Sequence, residues 1–349
     1  MAKENSRIEW IDIFKGIAIL LVVVGHLNVG DILHNFIYGF HLPAFLFVSG
    51  IFYKERKSVK EFFNKDIKKA LIMFIFFAVL WLGFEYVYKL AINITQGGVA
   101  VYSVGEYLWR SAVALVLGNC NITDVSFGAN WYLAMFICVK ALYASADYLL
   151  KKCNKNLISV FVCVIFLVGL VLLNGKNKLP FYLSSAFVGM AFFHMGRLCS
   201  GATRKISDLS FVKSGLISVC SFAVSGVVSY IFGESNLGAN TYETPFAFIV
   251  TATFGIMGIC LLSVCISKIP YLKNAVSYYG ENSLSVMGWH SEIRIGILFI
   301  LSLVGLDNRI IKLAVVIIAT LLLCIPLNKI TNLLIKGIDS IRFKYRKNK

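Results

Sequence analysis

The chain has 349 residues, 58% hydrophobic and only 15% charged, with a mean hydropathy of +0.77. Soluble domains carry about 45–50% apolar and about 25% charged residues, so this composition excludes an ordinary soluble enzyme or binding module. The formal charge of +16 lies in short clusters between apolar blocks, not in a basic run interleaved with aromatics, which argues against nucleic-acid binding.

The apolar blocks approach the length needed to cross a hydrocarbon core about 30 Å thick. In chain order they predict ten transmembrane helices, at about 11–28, 36–53, 70–92, 131–150, 157–174, 181–197, 211–232, 245–267, 283–304 and 310–328. The expected fold is an all-α polytopic membrane helix bundle, a single domain over 1–349 with no separate soluble domain. A further apolar block from Tyr107 to Leu117 is short and follows Glu106, with Arg110 inside it. It reads as an interfacial helix within an outer segment, 93–130. With both termini cytoplasmic, the inner segments 1–10, 54–69, 151–156, 197–213, 268–282 and 329–349 hold 25 of the 34 Lys and Arg, as positive-inside orientation requires. The first block lacks a small-residue cleavage site and reads as an uncleaved span. Nine cysteines without a CxxC pair or zinc spacing predict neither a metal site nor a disulfide framework.

Ionisable groups inside a membrane are costly and mark candidate functional sites. In the first span Asp12, Lys15 and His26 fall within about 60° of one another on one helix face. Two readings stand: a helix-end ion pair with a satisfied histidine, or a functional face. The second span carries His41 near the outer level of His26, and Pro43 is expected to bend it. The cluster Lys54 to Lys60 suits topology, whereas Lys65, Lys68 and Lys69 suit phosphate contact as point charges. Glu85, Lys140, Asp147, Glu292 and Arg294 are further intramembrane charges; Asn130-Trp131 opens the fourth span and His290 lies in the ninth.

Several stretches together resemble the integral-membrane acyltransferase 3 family, and especially its fucose 4-O-acetylase-like branch. They are Arg7-Ile8-Glu9-Trp10-Ile11-Asp12 with Lys15-Gly16 and Gly25-His26, Phe40-His41-Leu42-Pro43 into Phe47-Val48-Ser49-Gly50, Asn130-Trp131-Tyr132-Leu133, and Asn282-Ser283-Leu284 leading to His290. The resemblance implies a bacterial inner-membrane O-acyltransferase that moves an acyl group, commonly acetyl, from cytoplasmic acyl-CoA to a hydroxyl of a cell-envelope sugar. It implies His26 as the catalytic residue and Asp12, His41 and His290 in support. Lys15, Lys65, Lys68 and Lys69 are then the acyl-CoA contacts, and Asn130, Trp131 and Glu85 belong to the acceptor side. The family's inner loop often carries an Arg-x-x-Arg motif; lysines stand here instead, and lysine cannot bind phosphate bidentately. The donor is a co-substrate, with no permanently bound cofactor and no metal expected. A transporter or flippase for a glycan or lipid precursor is the alternative, although no repeated halves are visible.

Overall fold

The computed structural model describes residues 8–97, 101–151, 154 and 156–347, with side chains through 337. Arg7 of the N-terminal motif, Lys152 and Lys155 of the basic loop, and the basic side chains from Arg342 onward lie outside the described residues. In chain order the helices are α1 (Glu9–Gly25), α2 (Asp31–Tyr38), α3 (His41–Ile51), α4 (Val59–Phe62), α5 (Lys68–Thr95), α6 (Val104–Leu117) and α7 (Trp131–Leu150). There follow α8 (Leu157–Leu167), α9 (Leu183–Cys199), α10 (Thr203–Ser207), α11 (Phe211–Phe232), α12 (Pro245–Ile266), α13 (Pro270–Glu281), α14 (Ser283–Leu303) and α15 (Arg309–Lys347). A two-residue hairpin, β1 (Ser235–Asn236) with β2 (Thr241–Tyr242), pairs antiparallel between α11 and α12.

Among the described residues seven helical stretches are long and apolar enough to cross a membrane: Asp31–Ile51, Val59–Thr95, Gly128–Leu150, Phe211–Phe232, Pro245–Ile266, Ser283–Leu303 and Arg309–Gly337. Shorter helices, α1, Leu157–Leu172 and α9, occupy the other three apolar blocks. The chain is an all-α membrane protein. Its residues form two compact units. One comprises Met1–Lys54, Ala146–Lys176 and Phe187–Ser283; the other comprises Glu55–Ser145, Asn177–Ala186 and Leu284–Lys349.

In the first unit, α11 buries Ser214, Ser218, Ser221, Ser225 and Ser229 along a single stripe. The Ser218 hydroxyl donates to the Gly258 carbonyl at 2.8 Å, and that of Ser225 to the Thr251 carbonyl at 2.9 Å, so α11 and α12 are joined by side-chain hydrogen bonds. Between apolar lipid tails such bonds and close backbone approach hold helices together, because no hydrophobic force separates helix from lipid. Lower on α1, Ile13 packs on Ile266 and Val276. Asp147, 5% exposed, accepts from Arg197 Nη1 at 2.7 Å and from the Tyr53 hydroxyl at 3.0 Å.

Several local features differ from the sequence expectation, among them a third span that is helical from Val59 rather than 70. The predicted inner loop 268–282 contains α13, begun by Pro270 at its first turn, where a missing N–H costs nothing. Only Val276 and Gly280 of that helix are buried, so its apolar signal is too thin to read. The second span begins at Asp31 rather than 36 and breaks at Gly39 and Phe40, so residues 31–35, expected in a loop, are helical. Pro43 sits in the first turn of α3 and does not make the bend. The last helix continues far past 328, through Pro326 to Lys347.

In the second unit, Val59–Thr95 is continuous helix with a π-helical turn at Phe63–Ile67. Arg56 makes two bonds to the Asp66 carboxylate, at 2.6 and 3.0 Å, and Lys140 Nζ donates to the Asp66 carbonyl at 3.1 Å. The short block is helix α6, capped by Ser103 and closed by Gly118 in the left-handed region.

Candidate functional site

Helix α1 carries polar groups at both ends. Glu9 and Asp12 lie in its first turn, where carboxylates complement the positive end of the helix dipole. Asp12 is 8% exposed and accepts the Lys15 ammonium at 2.6 Å. Glu9 pairs with Lys273 of α13 at 2.6 Å. Lys15 therefore presents its charge beside a buried carboxylate on a helix end that α13 fixes.

His26 is the C-terminal cap of α1, half-buried, eleven residues or about 16 Å along the axis from Lys15. Its Nδ1 lies 2.8 Å from the Val22 carbonyl oxygen. A carbonyl only accepts, so Nδ1 carries the hydrogen and Nε2 carries the basic lone pair. His41, 1% exposed, repeats the arrangement with Nδ1 2.7 Å from the Ile37 carbonyl. Its Nε2 is buried with no hydrogen-bond partner among the described residues.

Tyr38 joins these two histidines to a third. Its ring centroid is 6.1 Å from that of His26 and 4.9 Å from that of His41, and it stacks on His34 at 3.9 Å. Neither His34 nor Tyr38 was singled out in the sequence, because His34 fell in a presumed loop. Their spacing with His41, four and then three residues, is the signal that would have found them. Gly25 makes room for the ring: a Cβ there would stand 3.2 Å from Tyr38 Cε2.

The second unit holds the remaining predicted residues. Lys65 is paired with Glu61 one turn before it, while Lys68 is half-buried and Lys69 exposed at the end of the π turn. Glu85, 8% exposed, binds Lys89 at 2.9 Å, the Tyr107 hydroxyl at 3.1 Å and the Ser126 N–H at 3.2 Å. Asn130 is buried with Nδ2 3.4 Å from the Phe77 carbonyl, and Trp131 lies against Tyr182 with centroids 5.4 Å apart. His290 is buried too, its Nδ1 2.9 Å from the Met287 carbonyl. Its neighbour Trp289 meets Phe77 edge-on at 5.8 Å, so Asn130 and the His290 segment converge on Phe77. Both carboxyl oxygens of Glu292 are buried without a hydrogen-bond partner among the described residues.

Chemically, the α1–α2–α3 cluster offers a half-exposed imidazole with a fixed tautomer and a basic nitrogen, suited to proton transfer. Among the described residues no group of three or more His, Cys, Asp or Glu could hold a metal ion. Searches of curated proteins and of solved structures found no match. The acyltransferase 3 family model, described as an acyltransferase domain, matches residues 8–329. That match takes in every helix from α1 to α14 and much of α15, including both ends of α1. The chain belongs to the acyltransferase 3 family and is a multi-pass membrane acyltransferase.

Proposed function

We propose that this protein moves an acyl group, acetyl in the simplest case, from cytoplasmic acyl-CoA to a hydroxyl of a cell-envelope sugar, in the manner of the family's fucose 4-O-acetylase-like branch. The observation that carries this reading is on α1: an ammonium beside Asp12 at one end and a basic imidazole nitrogen at the other. In this reading ten spans cross a bacterial inner membrane, both termini face the cytoplasm, and Lys15 is at the inner mouth. Lys15, Lys65, Lys68 and Lys69 are the acyl-CoA contacts, acting on the CoA phosphates as point charges. The pantetheine arm covers the ~16 Å to His26. His26 Nε2 takes the proton of the acceptor hydroxyl as that oxygen attacks the thioester carbonyl, and the CoA thiolate departs with a proton returned to it. Asp12 holds Lys15 in place, and His41 and His290 are supporting residues. Asn130, Trp131 and Glu85 serve the acceptor side.

The test is acyl-CoA binding measured beside turnover in purified variants. His26→Ala is expected to lower turnover about 10²–10⁴-fold while acyl-CoA still binds. Lys15→Ala is expected to raise KM for acyl-CoA with a smaller change in kcat. Near-normal turnover in His26→Ala would remove the general base and with it this mechanism.

A further inference from the structure

The second unit contains an open cleft of which the proposed transfer reading names only Glu85. Its volume is about 460 Å³, inside the roughly 300–1,000 Å³ range of small-molecule sites. Two loops build it, one after α6 and one before α9, with Glu85 of α5 at its wall. Asn119, fully buried, clips the loops together: its Nδ2 donates to the carbonyls of Asn177 and Leu179, both at 2.7 Å, and its Oδ1 accepts from the Asn121 N–H at 2.9 Å. Ser126 Oγ accepts from the Gly128 N–H at 2.9 Å and fixes the first loop further on. The cleft is thus held open by the protein's own hydrogen bonds and needs no ligand to form it.

Its chemistry is mixed rather than charged in one sense. Glu85 and Asp124 supply carboxylate acceptors, Asn121 and Asn177 amides that both donate and accept, and Lys178 a donor at the exposed rim. Glu85 Oε1 already accepts from Lys89 and Oε2 from Tyr107 and the Ser126 N–H, so its charge is balanced. Among the described residues no arginine lines the cleft. Arg110 stands beside it, 3.9 Å from Asp124, with its guanidinium already engaged by Glu106 at 3.0 Å and the Thr123 carbonyl at 3.1 Å, so its fork is not open to a planar phosphate. Hydroxyl groups match this inventory because each donates one hydrogen bond and accepts others. Adjacent hydroxyls on one ring would meet a carboxylate and an amide together.

We propose that this cleft is a carbohydrate-binding site that takes a neutral polyhydroxylated ring through Glu85, Asn121, Asp124, Asn177 and Lys178. It rests on the acyltransferase reading only in identifying that sugar with the acyl acceptor; the binding itself stands on the cleft.

The full chain in lipid nanodiscs is probed by saturation-transfer NMR with D-glucose, D-galactose and N-acetyl-D-glucosamine, each alone, and by phosphorus NMR with inorganic phosphate. The expected result is saturation of ring protons in at least one sugar and no phosphate binding. Asn177→Ala and Asp124→Asn each weaken that sugar by about fivefold or more, the loss of one hydrogen bond. Lys178→Ala, at an exposed position, gives the same direction without risk to the fold. His26→Ala keeps sugar binding intact, which separates the cleft from the catalytic reading. With an acyl-CoA donor, Asn177→Ala raises the acceptor KM and leaves acyl-CoA binding alone. Sugar binding without any transfer to that sugar refutes its identification with the acyl acceptor and leaves the cleft standing. Absence of saturation with every sugar, equal saturation in wild type and the three cleft variants, or displacement of sugar by phosphate overturns the carbohydrate site.

Discussion

Gly280 lies against the backbone of Asp12 so closely that a Cβ on it would stand 1.7 Å from the Asp12 carbonyl oxygen and 2.8 Å from the Gly16 nitrogen. The contact is reciprocal, since a Cβ on Gly16 would meet the Val276 carbonyl oxygen at 2.1 Å. Helices α1 and α13 therefore cross backbone on backbone, beside the Asp12–Lys15 pair. Gly280→Ala is expected to cost about 1–3 kcal/mol by overpacking and to raise KM for acyl-CoA by shifting Lys15. Gly296→Ala, where no atom lies within 4 Å, is expected to be neutral or slightly stabilising. Thermal unfolding in detergent, paired with donor saturation curves, distinguishes the two; equal stability would contradict the crossing.

Tyr38 is the ring on which His26, His34 and His41 converge. Tyr38→Ala is expected to lower kcat by about 10–100-fold, the scale of a misplaced catalytic group, with little change in acyl-CoA affinity. Tyr38→Phe keeps the ring contacts and is expected to restore most of the rate. A variant that folds in lower yield but turns over normally per folded molecule would assign Tyr38 to stability alone.

Asp147 is a buried carboxylate held by Arg197, whose guanidinium also sits 5.0 Å over the Tyr53 ring. Arg197→Ala strands that charge, and breaking a buried pair this way costs about 3–5 kcal/mol. The double variant Arg197→Met with Asp147→Leu removes both charges and is expected to regain much of the loss. Denaturant or heat unfolding of wild type and the two variants decides between a bridge and a bystander, and no difference between the single and double variants would exclude the pairing.

Burial pushes the Cys120 thiol above its ordinary range, partly opposed by its contact with the Tyr182 hydroxyl at 2.8 Å. Folding therefore favours the protonated thiol. Its contribution to stability is complete below the unfolded thiol value of about 8.5 and is lost as pH rises through the higher folded value. Wild type is expected to lose more stability than Cys120→Ala between neutral and strongly alkaline pH, and to react slowly with a maleimide at neutral pH. Rapid labelling of Cys120 in the folded protein would contradict its burial.

The apolar blocks were legible because lipid imposes both a length and a composition on any helix that crosses it. Helix α11 coincides with such an apolar block. Helix α13 escaped because it buries little more than Val276 and Gly280, and a contact made by a missing side chain leaves no hydropathy signal. At the candidate site His26 and His41 were visible as isolated imidazoles in apolar sequence. His34 was not, since the break at Gly39 and Phe40 and the early start at Asp31 hid the turn of helix that carries it. The Lys65–Glu61 pair and the Asn119 clip are likewise products of local geometry, which spacing alone does not announce.

The serine stripe of α11 makes that helix inside-out by the standards of a water-soluble protein. The hydroxyls of Ser218 and Ser225 reach α12, those of Ser221 and Ser229 bond back to α11, and Leu216, Val219, Val227, Tyr230 and Ile231, each more than half exposed, form the outer coat. Water is thus the wrong solvent for the outer face, and hydrocarbon is the wrong solvent for the inner one. The α11–α12 hairpin keeps its partners matched only while something apolar surrounds it. A detergent that thins that surround lets water compete for the Gly258 and Thr251 carbonyls that the Ser218 and Ser225 hydroxyls hold.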